Sequence, residues 1–301
     1  MPQGPLAPDL PEPLVILVTG PTGNVGGALV SRLSTAGAPV RALVRSTVRG
    51  DDLRGYDVEL AIGTYEDQDS LRAALQGVER VFLLTPASEQ MAAQEKALLK
   101  AAVEVAPGAH VVKLAAAGVD VPGDSPVRFL RSHQEVVRAL ADSGLPHTVL
   151  APGSFMQNLL SQAASVQAEG VLRGTAGHGA ISHVDVRDVA AVAAHVLTSD
   201  GHEGATYTIT GPEALTYPQV AEALGRVLDR EVRYEDVTPE QSHASMLGSG
   251  VPEWLAEGLL ELGQVARSGA AAGVTDEVEK ATGTPARPLE DFLREHRAAF
   301  A

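Results

Sequence analysis

The sequence predicts an α/β fold with a doubly wound parallel sheet and a smaller C-terminal lobe. Three observations predict it: a strand, a glycine-rich turn and a helix follow one another near the start, strand and helix patterns then alternate up to residue 152, and the strands are largely apolar. Continuously apolar strands suit a parallel sheet that helices cover on both faces. Past residue 152 the alternation loosens, which indicates a second, smaller unit.

A glycine-rich turn joins the first strand, residues 15–18, to an amphipathic helix. Gly20 permits a sharp exit from the strand, Gly23 lets backbone N–H groups approach a pyrophosphate, and Gly26 lets the helix pack closely. The N-terminus of the helix supplies free N–H donors and the positive end of its dipole to phosphates. This arrangement is the first unit of a dinucleotide-binding Rossmann fold. The cofactor-binding residues predicted in the turn are Gly20, Thr22, Gly23, Asn24 and Val25.

The other strands and helices of the sheet follow in order as far as residue 152. Apolar runs predict strands over residues 39–45, 58–62, 81–86, 110–114 and 147–150. Helical patterns lie between them over residues 69–75, 90–105 and 128–142. Asp69 or Ser70 is the predicted N-cap of helix 69–75, and Ser143-Gly144 ends helix 128–142.

The end of the second strand distinguishes between the two nicotinamide cofactors. NAD-binding proteins usually place an Asp or Glu there, which binds the ribose 2′-hydroxyl. This chain has Arg45, with Arg49 close behind. A guanidinium binds a 2′-phosphate through two parallel hydrogen bonds, so we predict NADP(H) as the cofactor. The alternative is a solvated arginine at a strand end.

Ligands of a doubly wound sheet bind beyond the carboxyl ends of its strands. Thr85 and Pro86 end the fourth strand there and are predicted to contact the cofactor. Lys113 lies within the apolar fifth strand, where a charge is costly unless it has a function. It is predicted to reach the nicotinamide ribose or the substrate; the alternative is a lysine that extends to the rim of the cleft. The segment after the sixth strand adds Phe155, Gln157 and Asn158 as substrate-contacting candidates.

Residues 153–301 carry further predicted elements in a less regular order. Helices are predicted over residues 155–168, 185–198, 217–228, 252–265, 275–282 and 288–300, and strands over 181–184, 207–210 and 231–234. Residues 14–152, with returns at about 181–210, are predicted to form the NADP-binding domain. Residues 153–180 and 211–301 are predicted to form the smaller substrate-binding lobe. Residues 1–13, with five prolines, are expected to be a flexible arm.

The composition excludes several classes of protein. Hydrophobic residues make up 45% of the chain, as in a globular protein, and no cysteine is present to form a disulfide or a thiolate nucleophile. The net charge of −15 argues against a nucleic-acid partner. No apolar run is long enough for a membrane span and the start lacks a signal-peptide pattern, so a cytoplasmic location is expected. The nine histidines show no helical pair with a carboxylate partner, so no metal site is predicted.

Several motifs of the chain are shared with a known family. They are the glycine motif at 19–26, Val44-Arg45, His133 ten positions before Ser143, the loop Phe155-Met156-Gln157-Asn158, and the segments 183–190, 207–212 and 282–292. Together they make the chain resemble the NmrA-like branch of the atypical short-chain dehydrogenases/reductases over nearly its whole length. The resemblance implies a Rossmann core that binds NADP(H) and a C-terminal lobe that forms the other wall of a substrate cleft. Members of the family include quinone, carbonyl and imine reductases, and also non-catalytic redox sensors that bind a transcription factor.

The chain departs from the Ser–Tyr–Lys triad of the typical short-chain dehydrogenases. Ala115-Ala116-Ala117 follows the fifth strand without a hydroxyl group, and His133 and Val137 stand at the tyrosine and lysine positions. His133 is expected to titrate near neutral pH and to give a proton or a hydrogen bond to a substrate oxygen; a histidine that only lines the cleft is the alternative. The catalytic candidates are therefore His133 and Lys113, with Ser132 as a weaker candidate for orienting the substrate.

Two functions of different classes follow from these observations. The first is an NADPH-dependent reductase that transfers hydride to the carbonyl of a ketone or quinone, with a bulky aromatic or polyketide-type substrate. A quinone supplies its own electron sink, which fits the missing tyrosine, and hydride positioning then does most of the catalysis. The second is a non-catalytic NADP(H) sensor that binds a protein partner. We favour the reductase, because His133, Lys113 and the loop 155–158 converge on the same strand ends.

Overall fold

A computed structural model describes residues 14–301 of the chain, so the expected arm at residues 1–13 lies outside the described residues. The strands, in chain order, are β1 (Ile16–Val18), β2 (Val40–Val44), β3 (Val58–Ile62), β4 (Arg80–Leu83), β5 (His110–Leu114), β6 (His147–Pro152), β7 (Ser154–Phe155), β8 (Val171–Gly174), β9 (Ala180–Val184), β10 (Thr206–Ile209), β11 (Ala214–Thr216) and β12 (Arg233–Asp236). The helices are α1 (Asn24–Thr35), α2 (Thr47–Gly50), α3 (Gln68–Leu75), α4 (Met91–Val105), α5 (Arg128–Asp142), α6 (Ala163–Glu169), α7 (Val186–Thr198), α8 (Tyr217–Leu228), α9 (Pro239–Gly248), α10 (Glu253–Arg267), α11 (Glu277–Thr282), α12 (Leu289–Glu295) and α13 (Arg297–Phe300).

Seven strands form one parallel sheet in the order β3-β2-β1-β4-β5-β6-β10. The order reverses between β1 and β4, which is the point where doubly wound sheets bind their ligands. The strands β1, β4 and β5 are buried almost completely, since helices cover both faces of the sheet. The predicted α/β fold with a doubly wound parallel sheet is confirmed.

The turn after β1 brings helix α1 very close to the sheet. Gly20 has a φ of +61°, in the left-handed region that favours glycine, and its carbonyl accepts a hydrogen bond from the Gly23 N–H at 3.1 Å. A Cβ on Gly26 would lie 2.1 Å from that same carbonyl oxygen. The first turn of α1 can therefore pack against the end of β1 only because residue 26 has no side chain.

Two smaller sheets lie beside the large one. The strand β9 pairs in parallel with β7 and antiparallel with β11, and β8 pairs in parallel with β12. The chain leaves the large sheet at Gly153, whose N–H still donates to the carbonyl of Ile209 at 2.9 Å. A second apolar core forms outside the large sheet from residues that include Met156, Leu172, Val220 and Phe292.

The predicted helix over residues 155–168 is wrong. The structure has an extended pair at Ser154–Phe155, a 3₁₀ helix at Met156–Gln162 and an α-helix that begins only at Ala163. The reason is tertiary: Phe155 pairs with Val184 of β9, while Met156 and Leu159, three residues apart, both point into the second core.

Two further boundaries differ from the sequence prediction, and several elements are additional to it. The N-cap of α3 is Asp67, whose carboxylate accepts from the backbone N–H groups of Asp69 and Ser70. The helix predicted over 288–300 breaks at His296 into α12 and α13. The elements α2, α9, β8 and β11 were not predicted. None of the helices within residues 14–301 combines the length and the apolarity that a membrane span needs.

We predict that Gly26→Ala destabilises the fold. Its methyl group would lie 2.1 Å from the Gly20 oxygen, which is backbone and cannot move aside cheaply, so we expect a loss of about 1–3 kcal/mol in the free energy of unfolding by urea. Gly27→Ala is the matched control, because its Cβ would lie 3.5 Å from the nearest atom in ordinary contact, and alanine favours the helix by about 1 kcal/mol. Equal unfolding midpoints for the two variants would contradict the close approach.

Candidate functional site

The turn between β1 and α1 presents an open surface at the carboxyl edge of the sheet. Thr22, Gly23 and Asn24 are exposed there, whereas Val25 is buried in the core and Gly20 shapes the turn. The helix begins without a side-chain cap and without an acidic residue in its first turn. Its first N–H groups therefore have no side-chain partner and face a surface that suits an anion such as a diphosphate.

Arg45 follows directly after β2 at the same edge of the sheet. Its side chain is exposed and forms no salt bridge among residues 14–301, although its charge helps to lower the pKa of the nearby Glu66 carboxyl. Arg41, in the same strand, differs in this respect, since its guanidinium lies 2.9 Å from Glu59. The guanidinium of Arg45 forms no salt bridge and lies beside the glycine turn. It is therefore well placed to bind a second phosphate group, separate from the diphosphate at the turn.

Thr19, which the sequence analysis did not single out, ties the ends of β1 and β4 together. Its hydroxyl donates to the carbonyl of Leu84 at 2.8 Å and accepts from the N–H of the same residue at 2.8 Å. Thr19 is fully buried. The two strands that flank the reversal of strand order are thus held together at their carboxyl ends.

A buried carboxylate organises the ends of β4 and β5. Glu95 of α4 is completely buried, and its Oε1 accepts from the N–H of Thr85 at 3.2 Å and from the Thr85 hydroxyl at 3.0 Å. Lys113 Nζ donates to the same Oε1 at 2.9 Å and lies 2.7 Å from Oε2, at an angle that gives no second hydrogen bond. We call Thr85, Glu95 and Lys113 the Glu95 cluster.

Lys113 is fully buried, so the alternative of a lysine that extends to the rim of the cleft is wrong. Its Nζ also donates to the carbonyl of Leu114. Burial lowers the pKa of Lys113, and the attraction of the Glu95 carboxylate acts in the opposite direction. A direct contact with a ribose or a substrate would require Nζ to leave this ion pair.

Glu95 was missed, although the sequence carries a signal for it. The buried positions of α4 recur with helical spacing at Met91, Glu95, Leu98, Leu99 and Ala102, so a glutamate stands in the middle of an apolar stripe. Charged residues are rarely buried unless they are paired. A glutamate on such a stripe and a lysine in an apolar strand therefore predict that the two side chains form a buried ion pair.

His133 lies on α5, close enough to Lys113 for their charges to interact. Its Nδ1 is buried and has no hydrogen-bond partner among the described residues. Burial lowers the pKa of His133 well below the ordinary value, and the charge of Lys113 lowers it further. The expectation that His133 titrates near neutral pH is therefore wrong: at pH 7 its imidazole is neutral, with one N–H that can be donated.

The residues predicted to contact a substrate have different surroundings. Ser132 is half-buried, and its hydroxyl donates to the carbonyl of Arg128 in its own helix at 3.2 Å. Phe155 is half-buried against the core of the large sheet, and Asn158 is exposed. Of these three, Asn158 has the most freedom to meet a ligand.

Gln157 is engaged within the protein. Its amide nitrogen donates to Asp185 Oδ1 at 3.1 Å, and its amide oxygen accepts from the N–H of Val186 at 3.2 Å. Asp185 is the N-cap of α7 and accepts from the N–H of Arg187 at 2.8 Å. In this structure Gln157 therefore anchors the segment after β7 to the start of α7.

Residues 14–301 contain no group of three His, Asp or Glu side chains that could hold a metal ion.

We predict that the charges of Glu95 and Lys113 make coupled contributions to the free energy of unfolding. Glu95→Gln leaves a buried ammonium without its counter-ion, and Lys113→Met leaves a buried carboxylate, so each is expected to lower the free energy of unfolding by about 3–5 kcal/mol. The double variant removes both charges and should lose much less than the sum of the two. Urea unfolding of the four proteins measures this cycle, and additive losses would show that the pair is not coupled.

Comparison with known proteins places these features in context. The model of the NmrA-like family matches residues 13–293. The NAD(P)H azoreductase of Xenophilus azovorans is 40% identical over 286 residues, which are 95% of this chain and 99% of that protein. The (4-alkanoyl-5-oxo-2,5-dihydrofuran-3-yl)methyl phosphate reductase of Streptomyces griseus is 40% identical over 287 residues, with 95% and 99% covered. The crystal structure of an NADPH-dependent quinone oxidoreductase from Escherichia coli, complexed with NADPH, superposes with a TM-score of 0.86 at 29% identity, covering 93% of this chain and 99% of that one.

Proposed function

The chain belongs to the NmrA-like family, and on that premise we propose that it is an NADPH-dependent reductase that transfers hydride to the carbonyl carbon of a ketone or quinone. It is an NAD(P)H-dependent oxidoreductase, as its relatives are. We propose further that the substrate is bulky and aromatic, of the polyketide type, and that no Ser–Tyr–Lys triad takes part. The N-terminal 14–152 segment, with returns at about 181–210, binds the cofactor, and residues 153–180 and 211–301 form the substrate-binding lobe.

The observation that carries the proposal is the open surface at the carboxyl edge of β1, β2 and β4. The exposed glycine turn offers backbone N–H groups to a diphosphate, and the unpaired Arg45 offers a guanidinium to a 2′-phosphate. These residues fit a dinucleotide that carries three phosphates. NADPH, when bound, supplies the hydride.

In this proposal the side chains of the protein position the cofactor and the substrate, and acid catalysis plays a smaller part. The Glu95 cluster holds the backbone at Thr85 and Pro86, beside which the nicotinamide half of the cofactor would lie. Because His133 is neutral, it can donate a hydrogen bond to a substrate oxygen on which negative charge develops. A neutral imidazole is, however, a weak proton donor. We assign Lys113 an indirect role: its charge adds to burial in lowering the pKa of His133, and it shares the carboxylate of Glu95 with Thr85.

Substrates with their own electron sink fit this arrangement. A quinone accepts hydride and keeps the resulting charge within its conjugated system, so a strong protein acid is dispensable. One relative is named an NAD(P)H azoreductase and a similar solved structure is a quinone oxidoreductase, which supports a quinone as one substrate class. The sensor alternative rests on Ala115-Ala116-Ala117, where a catalytic hydroxyl is missing.

We predict that the protein oxidises NADPH with quinones and with aromatic ketones. The measurement is the decrease in absorbance of the reduced cofactor. His133→Ala should lower kcat for a ketone by about a hundredfold and have little effect on a quinone, because only the ketone needs help for its developing oxyanion. His195→Ala is the control, since His195 is exposed on α7 near its end. A protein that binds NADPH but turns over neither class would support the sensor instead.

Arg45→Ala tests the choice of cofactor. Loss of a charged hydrogen bond to the 2′-phosphate should raise the Kd of NADPH by about 10- to 100-fold and leave that of NADH nearly unchanged. Arg32→Ala removes the same charge from an exposed position near the far end of α1 and should affect neither. An equal loss of affinity for the two cofactors would exclude Arg45 as the 2′-phosphate ligand.

A further inference from the structure

His183 is a buried histidine whose two ring nitrogens have no hydrogen-bond partner among the described residues. It lies in β9 and is 4% exposed. A neutral imidazole carries one N–H donor and one acceptor, and buried groups of this kind are almost always paired in folded proteins. Such an unpaired ring needs a partner that the chain itself does not provide.

Two more polar groups lie beside His183. Ser154 stands directly opposite it in the parallel pairing of β7 with β9, so both side chains occupy one face of the small sheet. Tyr217, at the start of α8, meets the His183 ring edge to face at a centroid distance of 6.3 Å. Neither hydroxyl has a partner within residues 14–301, and both residues are half-buried. Tyr217 also stacks on Tyr234 at 5.3 Å, which makes an aromatic wall.

This face adjoins the carboxyl edge of the large sheet. Ser154 is two residues past Pro152, the last residue of β6, and the carbonyl of Pro152 accepts from the N–H of Ala117 at 2.9 Å. Ala117 is exposed and lies three residues after β5, the strand of Lys113. Ser154 therefore lies close to the carboxyl edge at which hydride transfer is proposed.

We propose that Ser154, His183 and Tyr217 form a subsite that binds an uncharged polar group of the substrate, a phenolic hydroxyl or a second carbonyl, on an aromatic ring that packs against Tyr217. The subsite rests on the proposed reductase function and names the part of the substrate that it recognises. Burial lowers the pKa of His183 to about 4, so the ring is neutral at pH 7 and binds through hydrogen bonds and not through charge. A phosphate or carboxylate is therefore a poor ligand here.

The test compares naphthoquinones that carry one hydroxyl, at different ring positions, with unsubstituted 1,4-naphthoquinone. The wild-type protein should prefer the best hydroxylated compound by about tenfold in kcat/KM, as expected for one buried hydrogen bond. His183→Leu should reduce this preference to near unity without changing the KM of NADPH. Tyr217→Phe and Ser154→Ala, which each remove only a hydroxyl, should reduce it in part.

A purely structural role of His183 predicts that His183→Leu lowers Tm, and the subsite predicts a different result. Removal of an unpaired buried polar group is neutral or stabilising, so His183→Leu should have an unchanged or higher Tm while it loses discrimination. No preference in the wild type, or an unchanged preference in His183→Leu, would overturn the subsite. If none of these naphthoquinones is reduced, the proposal of a quinone substrate fails; calorimetric binding of the same compounds in the presence of NADP⁺ still decides the subsite.

Discussion

The close contact between helix α1 and the carbonyl of Gly20 is the constraint on which the rest of the molecule depends. Since Gly26 has no side chain, the first turn of the helix lies directly against the end of β1. Its free N–H groups are thereby placed where the strand order reverses, with Arg45 on one side and Thr85 on the other. In the proposed function, backbone groups whose positions the sheet determines would hold a diphosphate at this point, and the reacting end of the cofactor would lie toward β4 and β5.

The Glu95 cluster lies in the interior, at the carboxyl ends of β4 and β5. One carboxylate joins α4 to the ends of β4 and β5. Burial lowers the pKa of His133, and the charge of Lys113 beside that carboxylate lowers it further, so the imidazole is neutral. A buried ion pair contributes little net stability, but it imposes one arrangement on the groups around it. In the proposed function, this edge positions a hydride donor and an acceptor, and a hydrogen bond takes the place of an acid. The presence of His133 and Val137 at the tyrosine and lysine positions fits the proposal of a conjugated acceptor.

The sequence was most informative where structure is set locally. The glycine turn and the apolar strands of the large sheet follow from spacing and burial, and both were predicted within a few residues. The segment that begins at Ser154 was not, because its extended start depends on pairing with β9, about thirty residues away, and on the anchoring of Gln157 to Asp185. Similarly, the neutral state of His133 depends on a lysine twenty positions earlier and on burial, which no local pattern reveals. Thr22, Gly23, Asn24 and Arg45 are exposed at the carboxyl edge of the sheet, and their role in cofactor binding stays a prediction. Glu95 could have been found from its place in the apolar stripe of α4, whereas the unpaired state of His183 is visible only from its surroundings.

We propose that the turn after β1 holds a nicotinamide dinucleotide with a 2′-phosphate. Isothermal titration calorimetry of the full chain with NADPH is the simplest test. We expect saturable binding of one NADPH molecule per chain. A folded protein that releases or absorbs no heat with NADPH, and whose melting temperature NADPH leaves unchanged, would contradict it.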